Sequence, residues 1–162
     1  MKILKKRRLK GKTDYLKRLK LLKSEKPRLV FRKTNRYIIA QYIISEEAQD
    51  KILFGISSKS LLKYGWPKKA ESGLKSLTAS YLTGFLIGKK ILEEKLEVPI
   101  LDLGMIRIIH QSKVFAFIKG IVDSGIKITS KKETFPQEDR IEGRHLKNKI
   151  PFKEIKERIE KK

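Results

Sequence analysis

Hydrophobic and polar positions alternate with two different periods along this chain, and the switch between them divides it. From Lys26 to Ile44 the sequence KPRLVFRKTNRYIIAQYII carries two β-branched and aromatic runs separated by TNR. Such runs read as two strands of a hairpin, with Asn35 suited to a left-handed turn backbone. KILFGISS, from Lys51, extends the pattern to a third strand of an antiparallel meander. The stretch KYGWPKKAESGLKS, 63–76, has glycines, a proline and charges but little periodicity, and reads as a loop. From Thr78 the period becomes helical: Ala79, Leu82, Phe85, Leu86 and Leu92 recur at three and four, to about Lys95.

Pro99 then introduces ILDLG, a short strand ending in glycine. Ser112 is placed to cap a second core helix, with Val114, Phe115, Ile118, Ile121 and Val122 as its buried stripe and Gly125 at its end. IKIT, 126–129, offers one more strand. The order of three strands, helix, strand, helix predicts an α/β fold, a mixed sheet with flanking helices. Ahead of it, residues 1–11 form a basic arm that lacks apolar periodicity and is expected to stay disordered until bound. Thr13 or Asp14 then caps a helix whose Tyr15, Leu16, Leu19 and Leu22 fall near one face, with a stop before Pro27. Beyond Ser130 the chain is charged, with one short helix before Gly143 and one after Pro151, the latter carrying Phe152, Ile155 and Ile159 as a narrow stripe. The expected division is an arm over 1–11, an α/β domain over 12–130 and a helical extension over 131–162.

Charge changes the picture most. The 162 residues include 40 Lys plus Arg and 18 Asp plus Glu, a net +22. Sixteen basic and two acidic residues fall at or before Arg36, so the first fifth of the chain carries +14. Such a field attracts polyanions, nucleic acid or an anionic membrane. The basic arm, basic helix and basic hairpin are consecutive, so they can form one electropositive surface with Tyr15, Phe31 and Tyr37 interleaved. That combination suits phosphate contacts beside stacking platforms. The arm lacks a strong amphipathic face, which makes a peripheral membrane role the weaker reading. No secretory signal is readable, and the longest apolar runs fall far short of the roughly 20 residues of a membrane span. A soluble intracellular protein is expected.

Candidate chemistry is sparse. The sequence has no cysteine, which removes disulfides, thiolate zinc sites and thiol catalysis. His110 and His145 have no third ligand in view and are expected at the surface. GFLIGKK, 84–90, has the wrong glycine interval and ending for a phosphate loop. Its glycines lie four apart on one helical face, so close approach of that helix to the sheet, or to an RNA backbone, explains them better. Asp102, at a strand end, is a candidate carboxylate for a metal-dependent nuclease. The other strands contribute no partner within their patterns, so a loop cap is the better role for it.

Taken in order, GKTDYLKRLKLLKSEKPRLVFRKTNRYIIAQ (11–41), LKYGW (62–66), ASYLTGFLIGKK (79–90), ILDLG (100–104), SKVFAFIKGIVDSG (112–125) and EDRIEGRHL (138–146) resemble a known family. They are similar to the archaeal branch of the large-subunit ribosomal proteins that bind 5S ribosomal RNA, number eighteen in the bacterial series. The resemblance implies a ribonuclease-H-like topology without the nuclease; no cofactor or metal is expected. It implies as partners 5S rRNA, large-subunit rRNA and a neighbouring ribosomal protein that binds the same RNA, on the cytoplasmic ribosome. It places RNA contacts in Gly11 to Arg18 and Arg28 to Tyr37. Within and beside those blocks the candidate RNA-binding residues are Arg7, Arg8, Lys10 and Lys12 of the arm and Tyr15 and Arg18 of the first helix. The hairpin adds Arg28, Arg32, Lys33, Asn35, Arg36 and Tyr37, and the helix after the glycines adds Lys89 and Lys90. MIRIIHQSK, 105–113, departs from the family pattern, being more apolar than its glycine- and proline-bearing loop. Metal-dependent nuclease activity on the same fold is the alternative function.

Overall fold

In the computed structural model, residues 5–46, 49–128, 132–146 and 149–161 are described. Strands β1 (Arg28–Lys33), β2 (Ile38–Glu46) and β3 (Gln49–Ser57) form the antiparallel meander, and β4 (Ile100–Asp102) joins it parallel to β1. The sheet order β3-β2-β1-β4 is mixed, as expected, and is compatible with a ribonuclease-H-like topology. Residues 126–128 form no strand, and Thr129 lies outside the described residues. So do Met1–Leu4 of the arm and the expected boundary at 130 and 131.

Alternation along β1 decides which layer lies where. Leu29 and Phe31 point into the main core with Ile38, Ala40 and Tyr42 of β2. Helices α3 (Leu77–Glu93) and α4 (Lys113–Asp123) cover that face, placing Ile87, Ile91, Phe117 and Ile121 in the same core. Arg28, Val30 and Arg32 therefore face the other side, where helix α2 (Tyr15–Leu22) lies.

The apparent loop 63–76 is instead built of 3-10 turns, Ser58–Tyr64 and Lys68–Lys75, the second kinked at Ala70. Trp66 between them is 2% exposed and donates its indole N–H to Ala70 O at 2.9 Å. A buried aromatic anchor stands in for periodicity there. Trp66, Leu61 and Leu74 open a second core with Leu82 and Phe85, which the C-terminal helix α6 (Phe152–Glu160) completes through Ile155 and Ile159. Helix α5 (Glu138–Glu142) ends at Gly143 and contributes Ile141. Both charged C-terminal helices thus dock.

The glycines of GFLIGKK approach α4 rather than the sheet. A Cβ on Gly84 would overlap the Phe117 carbonyl, and one on Gly120 would overlap the Tyr81 carbonyl. The two helices meet backbone to backbone at this point.

Candidate nucleic-acid interface

The arm contains one helical turn, α1 (Lys6–Leu9), none of it buried. This differs from the disorder expected for residues 5–11. Arg7 Nε donates to Thr13 Oγ1 at 3.0 Å, which ties the turn to the start of α2. Asp14 caps α2 by accepting from the amides of Leu16 and Lys17 at 3.0 and 3.1 Å. Asp14→Ala is expected to cost α2 about 1 kcal/mol, read as faster amide exchange at Leu16 and Lys17.

The face that α2 turns inward is not its leucine stripe. Leu16 and Leu19 are 67% and 51% exposed. Lys17 instead donates to Gly104 O at 3.2 Å, and Arg18 pairs with Asp50 at 3.1 Å. The surface beneath α2 is lined mainly by charged groups, with Leu21, Val30 and Ile43 among them, so polar contacts dominate the docking of the helix. Its apolar spacing therefore misidentifies the inward side.

Those contacts belong to a ladder of alternating charge. Arg18 meets Asp50; Asp50 also accepts from Arg28 and from Ser45 Oγ. Arg28 reaches on to Ser45 Oγ at 2.9 Å and Asp102 Oδ2 at 3.4 Å. Asp102 in turn holds Arg32, whose Nη1 donates to the Asp102 carbonyl at 2.9 Å and whose Nη2 lies 3.4 Å from both carboxylate oxygens. Asp102 Oδ1 also accepts the Gly104 amide at 2.8 Å, the loop-capping role expected of it.

This geometry corrects the place of Arg28. Its side chain is 3% exposed, with two carboxylates and a hydroxyl as partners. The guanidinium is consumed inside the protein, because residue 28 faces inward beneath α2, flanked by Asp50 and Asp102. Arg18 and Arg32, at the ends of the ladder, keep side-chain exposures of 41% and 42% and are the groups available to an outside anion. Lys17, Asp50 and Gly104 are members that sequence reasoning missed. No local pattern marks them, since their partners are distant in the chain.

The remaining candidates divide among locations. Arg7, Arg8, Lys10 and Lys12 are exposed, and Tyr15 is half-buried with Lys5 Nζ 4.5 Å from its ring centroid. The hairpin loop is four residues long, closed by Thr34, whose amide and hydroxyl both donate to Tyr37 O at 2.9 Å. Asn35 has no left-handed backbone. The side chain of Thr34 closes the loop, so the expected turn type is not needed. Asn35 and Arg36 are exposed, and Tyr37 is half-buried with its hydroxyl 3.3 Å from Glu71. Lys33 stands on the face opposite to Arg32. Phe31 is 1% exposed and packs on Phe117, so it is a core residue.

Lys89 and Lys90 sit on α3, across the sheet from α2, and so outside the surface that the arm and α2 form. Lys90 lies 4.5 Å from the Phe54 ring centroid and pairs with Glu94 at 3.6 Å. Lys89 lies 5.6 Å from the Phe85 ring centroid. Their helix lies on the main-core face because its apolar residues are needed there.

The comparisons with known proteins agree with one another. A family model described as ribosomal large subunit proteins 60S L5 and 50S L18 matches residues 1–99. A large ribosomal subunit protein uL18 from Korarchaeum cryptofilum is 46% identical over 140 residues, covering 86% of this chain and 70% of that protein. One from Caldivirga maquilingensis is 40% identical over 141 residues, covering 86% of this chain and 66% of that protein.

Proposed function

Since the chain belongs to the ribosomal large-subunit family of 60S L5 and 50S L18, we propose that it binds 5S ribosomal RNA through the α2 side of its sheet. As a member of that family it is a structural rather than enzymatic constituent of the large subunit of the cytoplasmic ribosome. In this reading it helps seat 5S rRNA on the large-subunit rRNA at the central protuberance, beside a second protein that binds the same RNA.

The observation that carries the reading is the Arg18–Asp50–Arg28–Asp102–Arg32 ladder. It joins α2 to the hairpin and holds Arg18 and Arg32 in fixed positions while leaving them open to solvent. Positioned cations recognise the shape of a folded RNA, whereas the exposed Arg7, Arg8, Lys10 and Lys12 supply attraction with little geometric demand. Asn35, Arg36 and Tyr37 at the hairpin tip extend the contact, with Tyr15 as a stacking platform near the arm. The nuclease alternative loses its one candidate carboxylate, because Asp102 is engaged by two arginines and an amide.

A filter-binding titration of 5S rRNA against salt tests the mechanism. With about eight phosphates neutralised, log affinity is expected to fall with log salt at a slope of about −6 to −7. An affinity nearly independent of salt would contradict charge neutralisation as the source of binding.

A further inference from the structure

Six cationic or titratable side chains converge at the carboxyl end of β1, on the side of the sheet away from α2. Lys33 from the end of β1, Arg107, Lys113, Arg140 and His145 line one crevice, and Lys75 stands close enough to Lys113 to act on its charge. No carboxylate lines it, and none of these groups has an ion-pair partner among the described residues. Under α2, by contrast, three arginines share two carboxylates. Leaving the crevice group uncompensated costs repulsion that the folded chain does not recover internally.

Two further features point the same way. The crevice receives the N-termini of both α3 and α4. Ser76 Oγ caps α3 by accepting the Ala79 amide at 3.2 Å. Ser112, in the same position on α4, makes no capping bond, and its Oγ is inaccessible and without a hydrogen-bond partner among the described residues. The first-turn amides of α4 thus face the crevice with no side-chain acceptor. Burial, with Lys33 and Lys75 nearby, also holds the Lys113 ammonium below the ordinary lysine range. A site that crowds cationic side chains around free amide donors suits an anion.

We propose that this crevice binds a backbone phosphate of the RNA, as a second contact on the opposite side of the sheet from α2. The proposal rests on the RNA-binding reading above and adds a separate site to it. Its geometry follows from one strand end: Arg32 and Lys33 are neighbours in sequence, and alternation sends them to opposite faces. An RNA strand passing the end of β1 meets Arg32 on one side and the Lys33–Lys75–Lys113 cluster on the other. The sheet end is then gripped from both faces.

The test uses the full chain and the double variant Lys75→Gln with Lys113→Gln. Against a 5S rRNA transcript the variant is expected to bind roughly tenfold more weakly, with a salt slope shallower by about 0.7–0.9, as for one lost phosphate contact. Its melting midpoint in the absence of RNA should not fall, because the substitutions relieve repulsion. Unchanged affinity and slope in the variant, while the parent binds, would overturn the crevice and leave the proposed function standing. If the parent itself does not bind 5S rRNA, that function fails, and the crevice is judged with a short unrelated RNA duplex added to isotope-labelled parent chain. Amide shifts at Lys113, Val114 and Phe115 that are missing in the double variant support the site; their absence from the parent overturns it.

Discussion

Asp102→Ala is expected to lower the stability of the folded chain by about 3–5 kcal/mol, the cost of stranding a buried charge by removing its partner. The residue is 7% exposed, and its loss deprives Arg28 of one of its two carboxylates and the Gly104 amide of its acceptor. Arg28 cannot turn to water to recover the contact, because its own side chain is 3% exposed. At this chain length the change corresponds to a drop of roughly 10 °C in melting midpoint. Arg32→Ala removes a rung whose side chain is 42% exposed, and should cost no more than about 1 kcal/mol. Two arginines four residues apart on one strand thus respond differently. Arg28→Ala belongs with Asp102→Ala as a change that unfolds, and any loss of RNA affinity in it is to be read against its melt. Thermal denaturation that left Asp102→Ala level with the parent would show that the ladder is not what joins α2, β1 and β4.

Gly84→Ala is expected to reverse the usual sign of that substitution. In an ordinary helix interior, alanine for glycine gains up to about 1 kcal/mol. Here the added Cβ would overlap the carbonyl of Phe117, a backbone group that moves only if α4 moves. Overpacking of this kind costs about 1–3 kcal/mol or more, so a net loss of about 2 kcal/mol is expected in urea denaturation. Gly120→Ala makes the reciprocal overlap with Tyr81 O and should behave alike. Because both substitutions strain one contact, the double variant should fall short of the sum of the two. A gain in stability from either would mean that the helices are free to separate.

The periodic parts of the chain were readable because burial there repeats with the backbone. Three antiparallel strands, α3, β4 and α4 follow from apolar spacing, and the Phe152–Ile155–Ile159 stripe finds its place in the second core. The segment around Trp66 was not readable, since 3-10 turns present no sustained stripe and a single aromatic anchors them. For α2 the spacing pointed to the wrong side, because the helix docks through Lys17 and Arg18 while Leu16 and Leu19 stay exposed. The basic character of the hairpin was evident, but not which of its charges are free. Arg28 and Asp102 lie 74 positions apart, and the parallel pairing of β1 with β4 brings them together. Local sequence cannot separate an arginine held by such a partner from one offered to RNA.

The central claim is that fixed cations on the α2 face recognise one folded RNA, beyond the general pull of a chain with net charge +22. The most direct measurement is the ratio of affinities for 5S rRNA and for an unrelated structured RNA of the same length, at physiological salt. The account predicts a preference of about a thousandfold or more for 5S rRNA, as in other specific nucleic-acid complexes, falling steeply in Arg18→Ala with Arg32→Ala. Equal affinity for the two RNAs would contradict it.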